Sequence, residues 1–260
     1  MSNVAEFKVK PLRAAVSPAE WQARVDLAAC YRLADLCGMS DMIYTHISAR
    51  VPDAPDQFLM NPHGMLFDEM RASCFLKVTL DGKVLFKPDL GYELHVAGFV
   101  IHSAIYRARP DVMSAMHTHT IAGMAVSSLK CGLLPLTQTA MRFYKRLAYH
   151  DFHGPERDPG EREQLAQHLG QEDVMILRNH GLLSVGPSVA ESFNRMYGLE
   201  RSCQAQLAAM ACNTELNHLT QDVIDRSTHM YSPGVVRPYG VLEWPALLRK
   251  LDRIDPSYRD

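Results

Sequence analysis

Nowhere in the 260 residues does an apolar run approach the ~18 residues of a membrane-crossing helix, so no membrane span is expected. The opening stretch "MSNVAEFKVKPLRAAVSPAEW" lacks an apolar core of leader length, and a cytoplasmic protein is expected. No long basic run occurs and the formal net charge is only −2, which leaves no footprint for nucleic acid. The six cysteines, Cys30, Cys37, Cys74, Cys131, Cys203 and Cys212, form no CxxC pair. A disulfide framework is therefore not expected in a chain this long, and reduced thiols buried in apolar surroundings are. Internal repeats and low-complexity tracts are also missing, as is any convincing linker before residue 213. What remains is one globular body of ordinary composition.

The pattern along the chain is mixed. Residues 1–16 are polar and read as an arm. "SPAEWQARVDLAACYRLADLCGM" then reads as the first helix, with Ser17 as N-cap, Pro18 in the first turn and Glu20 as the acid of a capping box. From Ile43 the signal changes to short extended pieces, "IYTHISARV", "FLMN", "CFLKVTL" and "KVLFK", divided by Pro, Gly and Asn. Asp81-Gly82 makes the last two a hairpin candidate. A helix is expected from Glu93 to Arg107, a strand at "DVMSAMHTH", a helix at "TIAGMAVSSLK", and a charged helix over 159–169. Strands "DVMILRN" and "LLSVG" flank a sharp turn at His180-Gly181, and a long helix runs from Ser188 to Ala211. Strands and helices do not alternate strictly, which predicts a single-domain α/β/α sandwich over residues 17–212 with a largely antiparallel central sheet. Residues 213–260 are expected to pack as an extension on the body or on a neighbouring subunit.

Histidine is plentiful, with twelve residues. In "SAMHTHTIAG", His117 and His119 are two apart at the end of a strand and so project from one face. Catalytic zinc sites typically have three protein ligands and an open position. His180, where a second apolar strand meets a turn, is the best third candidate. On spacing alone, strand-end histidines that merely face solvent are the competing reading.

Three segments carry a resemblance: "ISARVP", "RARPDVMSAMHTHT" and "MILRNHGLLSVG". Together and in this order they resemble the class II aldolase/adducin family, over a stretch from about Trp21 to Met210. The resemblance implies a divalent metal on His117, His119 and His180, zinc first, with Mn2+ and Fe2+ as alternatives. It implies a homotetramer with the site at a subunit boundary.

The chain departs from that family's sugar-phosphate aldolases. Their acid/base glutamate, which follows two serines, aligns with Gly98, and the serines align with Val96 and Ala97. The asparagine of the earlier phosphate loop is replaced by His46, and the next loop reads "NPHGMLFDE". A phosphate needs several donors and positive charge, so a phosphorylated sugar is not expected. "AGFVIHSAIYRARPD" and the segment from Leu129 to Gly154 are similar to the adducin-like branch. The expectation is a metal-dependent lyase that cleaves a non-phosphorylated hydroxy-carbonyl or hydroxy-carboxylate compound by a retro-aldol or decarboxylation step. Its alternatives are a non-catalytic adducin-like binding or assembly module and a non-haem iron oxygenase on the same scaffold. His46 and His63 are the candidates for proton transfer, ahead of His95 and Glu93. Gln138, Thr139 and Tyr149 are candidates for substrate binding, near the slot where related aldolases offer a tyrosine from the adjacent subunit.

Overall fold

Ser17 starts the first long helix, but only half of the expected reciprocal cap forms. Its hydroxyl accepts the Glu20 N–H at 3.0 Å, and Pro18 opens helix α2 (Pro18–Leu36). The Glu20 carboxylate turns away to pair with buried Arg24 at 3.0 Å and with Lys77 at 2.9 Å. An unpaired buried guanidinium costs more than one unmade cap contact, so the ion pair prevails. The computed structural model describes residues 9–152, 154, 159–232 and 234–260. Residues 1–8 of the expected arm lie outside them, and a short helix α1 (Val9–Ala15) occupies the remainder.

The strands are β1 (His46–Val51), β2 (Ala54–Met60), β3 (Pro62–His63), β4 (Leu76–Thr79), β5 (Val84–Phe86), β6 (Glu93–Leu94), β7 (Ser114–Thr118), β8 (Ala148–His150), β9 (Val174–Leu177) and β10 (Gly181–Gly186). Eight of them form one sheet in the order β5-β4-β2-β1-β7-β10-β9-β8. Every pairing in it is antiparallel except β8 with β9. Helices α2, α4 (Ile121–Ser127), α6 (Val189–Ala211) and α8 (Trp244–Ile254) enclose one apolar core with one face of the sheet. Helices α3 (Val96–Ala108) and α5 (Pro159–Leu169) enclose a second core on the other face. The expected α/β/α sandwich with a mostly antiparallel sheet is the fold observed.

Two expectations need correction. The helix expected from Glu93 starts three residues later: Glu93 and Leu94 form β6, which pairs with β3, and His95 caps α3. The Glu93 carboxylate is exposed and paired with Lys87. The cysteines are all free, yet only Cys30, Cys74 and Cys203 are buried, whereas Cys131 and Cys212 are exposed. Among the described residues no helix is long and apolar enough to cross a membrane. The segment after residue 212 carries α7 (Gln221–Met230) and α8, and it returns to α2 of the same chain. Trp244 Nε1 donates to Asp26 at 2.9 Å, and Arg32 meets Asp255 at 3.3 Å.

Candidate metal centre

The central strand β1 shows why chemistry gathers here. Its odd-numbered residues Ile47, Ala49 and Val51 enter the α2 core, and all six of its residues are buried. His46, Ser48 and Arg50 therefore project to the α3 face by the period-two rule, where α3 supplies polar partners. His46 Nδ1 lies 3.0 Å from His102 Nε2, Ser48 Oγ lies 2.5 Å from His102 Nδ1, and Ser48 Oγ lies 2.7 Å from Tyr106 Oη. Arg50 donates to the carbonyls of Val112 at 3.0 Å and Tyr106 at 2.8 Å.

On the neighbouring strand, His117 stands opposite His46 in register, and β10 flanks it with Leu183. His117, His119 and His180 converge, with one ligand atom from each within 4.8 Å of the others. It is the one such group of His, Cys, Asp and Glu found among the described residues. His117 Nε2 is 2.9 Å from His119 Nε2, which is 3.0 Å from His180 Nε2. The turn that delivers His180 depends on two residues. Asn179 takes a left-handed conformation with φ 56°. Gly181 serves packing: a Cβ there would strike the Thr118 carbonyl and press on the His119 ring at 3.2 Å.

The outer nitrogens set the inner ones. His117 Nδ1 donates to the Leu182 carbonyl at 2.9 Å, and His119 Nδ1 lies 3.2 Å from the Asp41 carboxylate. With their protons on Nδ1, both rings turn an Nε2 lone pair toward His180. Burial, then the neighbouring histidines, pushes His117 well below the usual imidazole range and His180 down to about 4. Neutral imidazole lone pairs facing one another at about 3 Å repel unless a cation lies between them, and an all-imidazole set suits a borderline divalent metal such as zinc. The residues present thus fit a metal.

Asp41 is the participant that sequence reasoning missed. A carboxylate behind a metal-binding histidine fixes its tautomer and raises its basicity. Asp41→Ala is expected to weaken zinc binding by roughly 10–100-fold without unfolding the protein. Equilibrium dialysis against zinc, with thermal melting alongside, measures both.

Of the other candidates, His46 is buried, with its ring centroid 5.1 Å from that of His117 and 5.0 Å from that of His95. His63 is exposed and stands edge-on to His95 at 4.5 Å. Gln138 and Thr139 lie on the segment between α4 and β8, just before a short 3-10 turn at Ala140–Arg142. Tyr149 accepts the Leu133 N–H at 3.1 Å, stacks on Arg178, and borders a cavity of about 220 Å³ with Leu133, Phe143 and Tyr144.

A family model described as the Class II Aldolase and Adducin N-terminal domain matches residues 25–207. The chain belongs to the class II aldolase/adducin family. A protein of Pseudomonas aeruginosa named for the class 2 aldolases is 46% identical over 252 residues, which cover 95% of this chain and 96% of that one. Alpha-adducin of Rattus norvegicus is 46% identical over 189 residues, and these are 72% of this chain but only 26% of adducin. Among solved structures, the aldolase II superfamily protein from Pseudomonas syringae superposes with a TM-score of 0.90 at 45% identity, over 96% of this chain and all (100%) of that one. The L-fuculose 1-phosphate aldolase from Glaciozyma antarctica PI12 gives a TM-score of 0.82 at 28% identity, with 93% of each chain covered. The match to this aldolase/adducin domain spans all three converging histidines.

Within this family the position of Gly98 has a structural explanation. A Cβ on Gly98 would lie 2.5 Å from His46 Cγ and 2.5 Å from Met60 Cε. The His46 ring occupies the room that a side chain at position 98 would need.

Proposed function

We propose that the protein is a metal-dependent carbon–carbon lyase acting on a non-phosphorylated hydroxy-carbonyl or hydroxy-carboxylate compound, by retro-aldol cleavage or decarboxylation. The observation that carries this reading is the convergence of His117, His119 and His180, with two of the three oriented from behind by Leu182 and Asp41. These three residues would hold the metal, zinc first and Mn2+ or Fe2+ as alternatives. Such an ion supplies Lewis acidity for the negative charge that develops as a carbon–carbon bond breaks.

The rest falls to the chain's own groups. His46, buried beside His117 and filling the room next to Gly98, is the group best placed to move a proton, with exposed His63 at the outer end of the histidine row. Val96 and Ala97 offer no hydroxyl to a phosphate, and this supports a non-phosphorylated substrate. Gln138, Thr139 and Tyr149 are the substrate-binding candidates, in a homotetramer whose sites lie at subunit boundaries. Cytoplasmic residence accords with this reading.

The adducin-like alternative, a non-catalytic assembly module, draws support from the identity to alpha-adducin. Metal analysis of the purified protein, followed by a screen of hydroxy-acids and aromatic carboxylates, tests the choice. One zinc or manganese per chain with product release supports the lyase. Iron with oxygen consumption supports an oxygenase. No metal, and no loss of folding on chelation, sinks both enzyme readings.

A further inference from the structure

The polar row beside the triad ends in hydrogen-bond donors that the protein leaves without acceptors. His95 caps α3: its Nδ1 accepts the Gly98 N–H at 3.1 Å. A neutral imidazole whose Nδ1 accepts carries its proton on Nε2. That Nε2 is buried and unpaired, in a residue only 7% exposed, with its ring between those of His46 and His63. The His63 ring face is a weak acceptor compared with an oxygen. Burying an N–H without a partner costs about 1–3 kcal/mol, so such a group calls for a ligand.

His46 becomes an N–H donor by a different route. The buried Tyr106 hydroxyl has one side-chain partner, Ser48 Oγ, and burial holds the phenol protonated. For both hydroxyl protons to find acceptors along this line, Tyr106 donates to Ser48, Ser48 donates to His102 Nδ1, and His102 donates from Nε2 to His46 Nδ1. Each group in the line donates once and accepts once. His46 is left with its proton on Nε2, and no described residue is recorded accepting it. Two neighbouring rings, 5.0 Å apart, are thus locked by separate hydrogen bonds as N–H donors. Burial, then the neighbouring His63, pushes the His95 imidazole down to about 4.

We infer that His95 and His46 form a seat for a carboxylate of the substrate, next to the three-histidine centre. Two neutral N–H donors match the two acceptor oxygens of a monoanion, whereas a phosphate dianion calls for cationic partners. This rests on the lyase reading and narrows it to substrates that carry a carboxylate. It also gives His46 a binding duty in addition to proton transfer, and it makes His95, His102, Ser48 and Tyr106 positioning or binding residues.

The test is calorimetric titration of the intact protein, metal-loaded and metal-stripped, with glycolate, ethylene glycol, 2-phosphoglycolate and acetate. Glycolate is expected to bind the loaded protein at least about tenfold more tightly than ethylene glycol, and 2-phosphoglycolate no more tightly than glycolate. His95→Asn keeps an N-cap acceptor but withdraws the Nε2 donor. It is expected to weaken glycolate about tenfold while metal content, melting temperature and ethylene glycol binding hold. Ser48→Ala, which unlocks the His46 tautomer, should weaken glycolate in the same direction. Unchanged glycolate affinity in His95→Asn overturns the seat, as does tighter binding of 2-phosphoglycolate. Saturable acetate binding to the metal-stripped protein, lost in His95→Asn, supports the seat even if metal analysis defeats the lyase. A loaded metal with a carboxylate-indifferent pocket sinks the seat and leaves the lyase standing.

Discussion

Replacing His180 by alanine is expected to lower zinc affinity by about 100-fold and to abolish any lyase turnover. Zinc bound by four protein ligands is worth about 10–16 kcal/mol, so one ligand accounts for roughly 3 kcal/mol, or about two orders of magnitude in affinity. His180 is the better choice than His117 because His117 is buried and bonded to the Leu182 carbonyl within the sheet. Its removal would mix a packing loss with the ligand loss. His180 is half-buried at a turn closed by its own backbone N–H to Leu177 at 3.1 Å, and that bond survives the substitution. Zinc retained at full occupancy and unchanged affinity in His180→Ala would remove the proposed centre. A graded series, with His180→Ala weaker than Asp41→Ala and both weaker than the parent, is the expected pattern.

The second large effect concerns Gly98, the position expected from the resemblance to stand where the sugar-phosphate aldolases have a glutamate. Gly98→Glu is expected to lower the melting temperature by about 6–12 °C and to confer no sugar-phosphate cleavage. Forcing a side chain into filled space costs roughly 3 kcal/mol, and each kcal/mol is worth about 2–4 °C in a domain of this size. Gly98→Ala separates sterics from charge. In an ordinary helix that change stabilises by nearly 1 kcal/mol. Here it should destabilise, because its Cβ meets the His46 ring and Met60 Cε at 2.5 Å. Combining Gly98→Ala with His46→Gly should recover much of the loss, a coupling of at least about 1 kcal/mol in a double-mutant cycle. Wild-type melting of Gly98→Glu would show that the ring and the missing side chain do not compete. The trade also explains why glycine at 98 and histidine at 46 occur together: each permits the other.

Local signals in the sequence were strong enough to place most elements. Ser17-Pro18 opens α2, Asp81-Gly82 joins β4 to β5, and Ser188 caps α6. The triad was also legible, since His117 and His119 share a strand end and His180 follows a second apolar strand. Less visible was everything set by long-range contact. β1 alternates polar with apolar and so reads as a half-solvated strand, yet α3 buries its polar face. The partners of His46 and Ser48 lie more than fifty positions away, and Asp41 lies 78 positions from His119. The start of α3 was misplaced because β6 is two residues long and its pairing with β3 depends on tertiary placement. Glu20 illustrates the same point inside a well-read helix: its cap signal was sound, but a buried arginine outbid it.

The triad's location has a consequence for how the chain fluctuates. His117 sits in β7, bracketed by β1 and β10 and four strands in from one sheet edge, and His180 immediately precedes β10. Central strands open only with the whole domain, so their amides exchange last with solvent. His117 is therefore anchored in the slowest-exchanging part of the molecule, while Met42, Tyr44, Ile121 and Phe152 are exposed on the segments around the site. The strand floor beneath the three histidines thus holds the His117 ring in place whatever the exposed side chains around it do.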